Sequence, residues 1–388
     1  MTIRTTTVPT LPRPRRLAYS DTLVALLDEA SGERHRLVAT TRLWPNASLL
    51  GVAAAHWSAL AFGQLEGDPV DVLDMLRVAA GDVDGVDEAP RAAAHRALGR
   101  AEALRTGLAL LHDGAALDAG VLAAVSERLG DVEGGGDGSD REDGRRGGGG
   151  TASRTARLTR VARLLGDRSL PLLIRVALAQ RHLGAATRRA APDRRIGPLL
   201  LPLTVAASAM PRTAEVPLTA LVPAGVVPAG VVPTEPVCRF PLSLAAQHDD
   251  YRTALGHPFP EPWVRFFLDA VRRQALDDAR WAWRARQCQL DLLDGMLRDR
   301  ATPTATATAE HLVAQPYLSA AILAASLGVS GPTARAAIDH LVARGLLVPT
   351  STRRRDRYYV APTVLAEVYG RPLTGGTGGS GGTEDSGA

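Results

Sequence analysis

Residues 171–203 read PLLIRVALAQRHLGAATRRAAPDRRIGPLLLPL, and they carry the strongest signal for the fold of this chain. Apolar residues recur at helical spacing from 172 to 183, and a second apolar run follows from 196 to 205. Residues 187–195 between them carry four arginines and one aspartate. The pattern predicts two buried helices joined by a basic loop. That loop either holds a phosphate at the start of the second helix or is simply solvated.

The same stretch resembles the central segment of Fic/Doc proteins, whose pattern is LAHxxFxxIHPFxDGNGRxGRLL. These proteins typically transfer AMP to a hydroxyl side chain. Residues 178–200 follow the pattern without a gap. The residues shared with it are Leu178, Ala179, Arg195, Gly197, Leu199 and Leu200. The resemblance implies a Fic-like helical domain, with ATP and Mg²⁺ as cofactors only if the chain is active.

The resemblance also implies that the catalytic groups are missing. The catalytic histidine position holds Thr187, whose hydroxyl is a poor general base near neutral pH. The acidic metal ligand falls on Ala191. The phosphate-cradling Gly-Asn-Gly falls on 192–194, which begins with a proline that has no N–H to donate. Arg195 remains as a phosphate ligand, whereas the second arginine is replaced by Pro198. We expect no catalytic residue, no cofactor and no metal, with any weak nucleotide binding through Arg195.

Two further segments bear on this resemblance. Fic proteins with an N-terminal extension carry an inhibitory helix with a pattern like SSxIEG. Residues 58–63 match it weakly, and the inhibitory glutamate falls on Phe62. His257 begins an HPF triplet that copies the start of the catalytic motif, but no acid or glycine cradle follows, so we interpret it as a loop residue. Trp263 begins a WxxFF pattern that fits a helix of the family.

Composition excludes several classes of chemistry. All 45 basic residues are arginine, which excludes Schiff-base and P-loop lysines and is typical of a high-GC bacterial genome. The net charge of +4 permits anionic partners. Cys238 and Cys288 form neither a disulfide framework nor a metal motif. Since no apolar run reaches the ~18 residues of a membrane span and no signal peptide is visible, we expect a cytoplasmic protein without a membrane partner.

The C-terminal part has its own pattern. Helices are predicted at 310–315, 319–327 and 331–344, followed by two strands around the basic segment 351–357. This order is typical of a winged helix-turn-helix, which many Fic proteins resemble at their C-terminus. Candidate DNA-binding residues are Ser330, Thr333 and Arg335 on the third helix and Arg353, Arg354, Arg355 and Arg357 at the wing. The alternative is a unit used for dimerisation or packing.

The predicted fold is mainly α, a Fic-like helical domain followed by a small winged helix-turn-helix domain. The repeat at 222–233, VPAGVVPAGVVP, is predicted to be an extended surface loop. The predicted organisation is a disordered N-terminus at 1–20, an N-terminal helical part of the Fic-like body at 21–130, a disordered linker at 131–151, the Fic-like core at 152–300, a linker at 301–309, the winged helix at 310–370 and a disordered tail at 371–388.

The leading functional hypothesis is a degenerate Fic-family protein without AMP-transferase activity. It would act as a regulator that binds DNA or a protein partner through the winged helix, and a homodimer is also open. The alternative is an active Fic-type adenylyltransferase that transfers AMP from ATP to a hydroxyl side chain. A purely structural remnant is a third interpretation, which predicts neither labelling by ATP nor DNA binding.

Overall fold

The structure is a computed structural model of the 388-residue chain. It describes residues 17, 19–42, 44, 47–84, 86–131, 148–184, 195–209, 238–350 and 357–370. Several predictions fall outside these ranges. They concern residues 1–16, most of the linker at 132–147, the loop with Thr187, Ala191 and Pro192, the repeat at 222–233, the wing residues Arg353, Arg354 and Arg355, and the tail at 371–388.

The described part of the chain is mainly helical, which confirms the predicted fold class. Eleven α-helices precede residue 300 within that part. They are α1 (Asp21–Arg42), α2 (Ala47–Glu66), α3 (Val72–Ala79), α4 (Glu88–His112), α5 (Ala119–Asp131), α6 (Gly148–Gly166), α7 (Leu172–Gly184), α8 (Leu200–Ala209), α9 (Phe240–Ala246), α10 (His248–Gly256) and α11 (Pro260–Arg298). A 3₁₀ turn at Gly197–Leu199 leads into α8. No single described helix is both long and apolar enough to cross a membrane.

The C-terminal part adds four helices and a three-stranded antiparallel sheet. In chain order they are α12 (Pro303–His311), β1 (Tyr317–Ser319), α13 (Ala320–Leu327), α14 (Gly331–Ala343), β2 (Val348–Pro349), β3 (Tyr358–Val360) and α15 (Pro362–Tyr369). The strand order is β1-β3-β2, and both β1 and β2 are antiparallel to β3. Val360 pairs with Tyr317 on one side and with Val348 on the other.

Helix α11 organises the body, because its 39 residues span about 58 Å and contribute to both apolar core clusters. Pro260 fits its first turn, where no backbone N–H is needed. Near the start, Trp263 is fully buried and its indole N–H donates to the carbonyl of Ala177 on α7 (2.6 Å). Helix α7, the first of the predicted pair around the basic loop, is thereby packed against the start of α11.

The C-terminal part shares a core with the helical body. One apolar cluster joins residues of α2, α3 and α4 and the second half of α11 to residues 305–369. The indole N–H groups of Trp57 and Trp281 both donate to the carbonyl of Val368, at 3.0 and 2.8 Å. Trp57 also stacks on Tyr369, and Tyr317 donates its hydroxyl hydrogen to Asp82. Residues 303–369 therefore do not form a separately folded module.

Four predicted segment bounds differ from the structure. The predicted linker at 301–309 is helix α12, because the Thr302 hydroxyl accepts from the backbone N–H of Ala305 (3.2 Å), and Ala305 and Ala309 are buried. The first helix of the C-terminal part therefore ends at His311, where the sequence predicted residues 310–315. Helix α6 begins at 148, inside the predicted linker at 131–151. The disordered N-terminus was predicted to extend to residue 20, but Leu17 is already buried in the structure.

Candidate functional site

Arg195, the retained phosphate-ligand candidate, lies against a carboxylate. Its Nε is 2.7 Å from Oε1 of Glu66, the last residue of α2. The other carboxylate oxygen of Glu66 accepts from Nη2 of Arg100 on α4, at 2.8 Å. The structure thus places Arg195 in an ion-pair network between three parts of the chain that are distant in sequence.

Asp68 completes this network. It accepts two hydrogen bonds from Arg96 (both 2.7 Å) and one from Arg100 (3.4 Å). The hydrogen bond with Arg96 lowers the pKa of the Asp68 carboxyl, so that Asp68 stays ionised. Arg96, Arg100 and Arg195 share the carboxylates of Glu66 and Asp68. Such a cluster can attract an anion if one carboxylate moves away.

Arg100 is the buried centre of the network. Its guanidinium lies over the ring of Phe62 (5.4 Å to the centroid), and its Nη1 has no hydrogen-bond partner within the described residues. A Cβ at Gly63 would lie 2.6 Å from the carbonyl oxygen of Asp68 and 3.2 Å from that Nη1. Only glycine allows α2 to approach Asp68 this closely.

Helix α2 brings a different acidic residue to Arg195. Phe62 lies where the resemblance places an inhibitory glutamate, and its side chain is buried under Arg100. A carboxylate nevertheless reaches Arg195, from Glu66, one helical turn further along α2. Glu66, Asp68, Arg96 and Arg100 were not among the predicted site residues. The one available signal was an acid one turn after Phe62 on a helix that otherwise carries no charge.

Gln180 lies beside the candidate site and is buried with both polar amide atoms unpaired within the described part of the chain. A Cβ on Gly197 would lie 3.3 Å from its Cγ, so its side chain packs under the 3₁₀ turn that leads to α8. Buried polar atoms are normally hydrogen-bonded. Gln180 therefore offers an unused donor and acceptor close to the start of α8.

His257 lies in a loop between α10 and α11, as predicted. Its Nδ1 accepts from the backbone N–H of Phe259 (3.2 Å), and its carbonyl accepts from Nη2 of Arg181 (2.6 Å). The HPF triplet thus ties the start of α11 to the end of α7. His182, also on α7, has its pKa lowered to about 4 by burial, with Arg160 and Arg157 adding to the effect.

The thiols and possible metal ligands form no second site. Cys238 and Cys288 are both free of disulfides. Burial raises the pKa of the Cys238 thiol to about 12 and that of Cys288 to about 11, which makes both unreactive. Across the described ranges, His, Cys, Asp and Glu side chains form no group of three that could hold a metal.

The C-terminal part presents a second candidate surface, at the start of α14. The axes of α13 and α14 turn by 113° across residues 328–330. Gly328 makes this turn in the left-handed region (φ 63°). Ser330 caps α14 by accepting from the N–H of Thr333 (3.3 Å), and the two hydroxyls are 2.7 Å apart. Ser330, Thr333 and Arg335 are all exposed.

The wing candidates are only partly described. Strands β2 and β3 lead to residues 351–356, so Arg353, Arg354 and Arg355 lie outside the described ranges, while Arg357 is exposed just before β3. Arg344, at the end of α14, pairs with Asp299 at the end of α11. That ion pair fixes α14 against the helical body.

Comparison with solved structures finds similarity of low degree, whereas two comparisons of the sequence find none. No family model matches the sequence, and no curated protein matches it. Among solved structures, the chain is similar to the crystal structure of a Fic family protein from Desulfovibrio desulfuricans G20 at 2.70 Å resolution. The two chains are 15% identical, the alignment covers 89% of this chain and 97% of the other, and the TM-score is 0.43. At that level the similarity does not by itself assign a family or a function to this chain.

Proposed function

We propose that this chain is a Fic/Doc relative that has lost AMP transfer and acts as a DNA-binding regulator through a winged helix formed by residues 303–369. The main support is the order of its elements, which is helix, strand, helix, helix, strand, strand and a final helix, α15. The 113° turn between α13 and α14, made across a short segment with a glycine, is that of a helix-turn-helix.

The exposed side of α14 fits the role of a recognition helix. Its inner side buries four apolar residues, Ala334, Ala337, Ile338 and Leu341. Its outer side begins with Thr333 and Arg335, at the end that would enter the major groove. An arginine there can make two hydrogen bonds to one guanine. Few other long polar side chains are available, so we expect modest sequence preference.

The wing supplies the second support for DNA binding. Residues 351–357 contain four arginines and one aspartate. Adjacent like charges repel one another and have no evident role in folding. A phosphate backbone compensates such a charge, and contacts of this kind give affinity that falls with salt.

The loss of AMP transfer rests on two independent features. Thr187 replaces the catalytic base and Ala191 replaces the metal ligand. In addition, the carboxylate of Glu66 forms an ion pair with Arg195, so a nucleotide phosphate would have to displace that carboxylate. Both features oppose the alternative of an active adenylyltransferase.

The DNA proposal is tested on the full-length chain, because residues 303–369 share a core with the body. Fluorescence anisotropy would measure binding to random duplexes across a salt series. Replacing Arg353, Arg354 and Arg355 by alanine should weaken binding to all duplexes alike. It should also lower the salt slope by up to about 2.7, which is three phosphate contacts at ~0.9 each.

A control variant separates local contacts from net charge. Alanine at Arg36, Arg105 and Arg273, which are exposed and scattered over the body, removes the same charge and should leave the salt slope nearly unchanged. Arg335→Ala should instead change the preference among sequences. If the unaltered chain retains no duplex even at low salt, the proposal is wrong and residues 303–369 serve only for packing.

A further inference from the structure

Helix α11 exposes three large apolar side chains at intervals of seven residues. They are Trp283 (57% exposed), Leu290 (39%) and Leu297 (72%). A seven-residue interval keeps side chains on nearly the same side of a helix. Together with the half-buried Leu293, they form what we name the α11 stripe, about 21 Å long.

The stripe is a concentrated patch and not a scatter of single residues. The described ranges contain seven exposed large hydrophobic side chains, and three of them lie on the stripe. Trp44 extends it at one end, with its ring 6.4 Å from that of Trp283. Isolated exposed leucines are normal on a protein surface, but a contiguous apolar patch indicates an interaction surface.

We propose that the α11 stripe pairs with the same stripe of a second copy of this chain, with the two helices antiparallel and a two-fold axis near Leu290. A two-fold interface is self-complementary: where residue i of one copy lies opposite residue j of the other, residue j of the first also lies opposite residue i of the second. With the axis at Leu290, Trp283 of one copy lies opposite Leu297 of the other. Large apolar groups then meet at three places along the stripe.

The charges beside the stripe select the antiparallel orientation. Arg284 and Arg286 lie towards its N-terminal end, whereas Asp294 lies towards its C-terminal end, where it also pairs with Arg298 of the same helix. The two-fold rotation about the axis at Leu290 places Arg286 opposite Asp294 of the second copy. A parallel arrangement would place arginine against arginine and aspartate against aspartate, which is unfavourable. The inference uses only α11 and does not depend on DNA binding.

Disulfide trapping tests both the pairing and its direction. Leu290→Cys should form a cross-linked dimer under mild oxidation, because residue 290 lies beside its own copy. Trp283→Cys and Leu297→Cys should not cross-link alone, since each lies about 21 Å along the axis from its copy, but a mixture of the two should cross-link. The unaltered chain is the control, because Cys288 is buried and both native thiols have raised pKa values. Efficient self-cross-linking of Trp283→Cys would contradict the antiparallel arrangement.

Sedimentation over a range of concentrations tests the interface energetics. We expect a dimer for the unaltered chain and a dissociation constant at least about tenfold higher for Leu297→Glu, since a charge is buried against apolar groups. Phe259→Glu is the matched control, because Phe259 is 68% exposed and lies off the stripe. It should leave the dissociation constant unchanged.

Charge exchange gives an independent measurement. Arg286→Glu and Asp294→Arg should each weaken the dimer, and the double variant should restore it, because the opposite charges again face each other. Circular dichroism would verify that each variant is folded. If the unaltered chain is monomeric at all concentrations, as it would be if the segment 222–233 of the same chain covered the stripe, the proposal is refuted.

Discussion

The ion pair between Arg239 and Asp278 should be among the largest single contributions to stability in the described part of the chain. Asp278 is buried on α11 and accepts from Nε of Arg239 (2.8 Å), from its backbone N–H (3.0 Å) and from Nε2 of Gln274 (2.8 Å). The guanidinium of Arg239 lies 4.3 Å from the ring centroid of Trp281. Asp278→Ala would leave a buried cation and two buried N–H donors without an acceptor.

The expected cost follows from that loss. Removing one partner of a buried ion pair destabilises a protein by about 3–5 kcal/mol, because the remaining charge is buried without compensation. Domains are typically stable by only about 5–15 kcal/mol, so the variant should lose a large share of its folding free energy. The neighbouring Asp277 is exposed, and its carboxylate pairs with Arg280 on the same helix. Asp277→Ala should therefore change the free energy of unfolding by no more than about 0.5 kcal/mol.

Urea unfolding would compare the two variants, followed by tryptophan fluorescence and by circular dichroism. The double variant Arg239→Met with Asp278→Leu should recover most of the lost stability, since two apolar side chains need no partner. Recovery would be incomplete because the backbone N–H of Arg239 loses its acceptor. If Asp278→Ala costs no more than Asp277→Ala, the assignment of this pair as a major stabilising contact is refuted.

Three further predictions concern the candidate site and the pH response. Incubation with labelled ATP and Mg²⁺ should give no transfer of AMP, and robust labelling that disappears in Thr187→Ala would contradict the proposed loss of activity. Glu66→Gln should strengthen ATP binding, measured by calorimetry, by about tenfold, because it releases Arg195 from a competing carboxylate; adding Arg195→Ala should cancel the gain, and an equal affinity in all three proteins would count against the site. Burial lowers the pKa of His56 to about 4, whereas an unfolded histidine titrates near ~6.5. The unfolded chain therefore binds more protons between these values, and His56 should lower stability by up to about 3 kcal/mol as the pH drops from 6.5 to 4. His56→Gln should remove that contribution, while His182, whose pKa is also lowered to about 4, should retain a similar one.

Local signals in the sequence determined the elements of this protein. The apolar periodicity at 172–183 and the apolar run at 196–205 correspond to α7 and to the 3₁₀ turn with α8. The hydroxyl caps Ser319 and Ser330 and the left-handed Gly328 mark the helices α13 and α14 where the structure has them. Caps and periodicity act within one or two helical turns, so a single sequence contains them.

The tertiary structure decided which of these elements meet. Glu66 reaches Arg195, Asp278 holds Arg239, and Val368 accepts from two tryptophans of the body, although each pair is far apart in the chain. None of these contacts has a local signature, because an ion pair or a shared core depends on how helices pack. Composition was also ambiguous at α12, where a threonine- and alanine-rich segment suits a linker as well as a helix. Burial of its alanines against the common core favours the helix, and that burial exists only once the chain has folded.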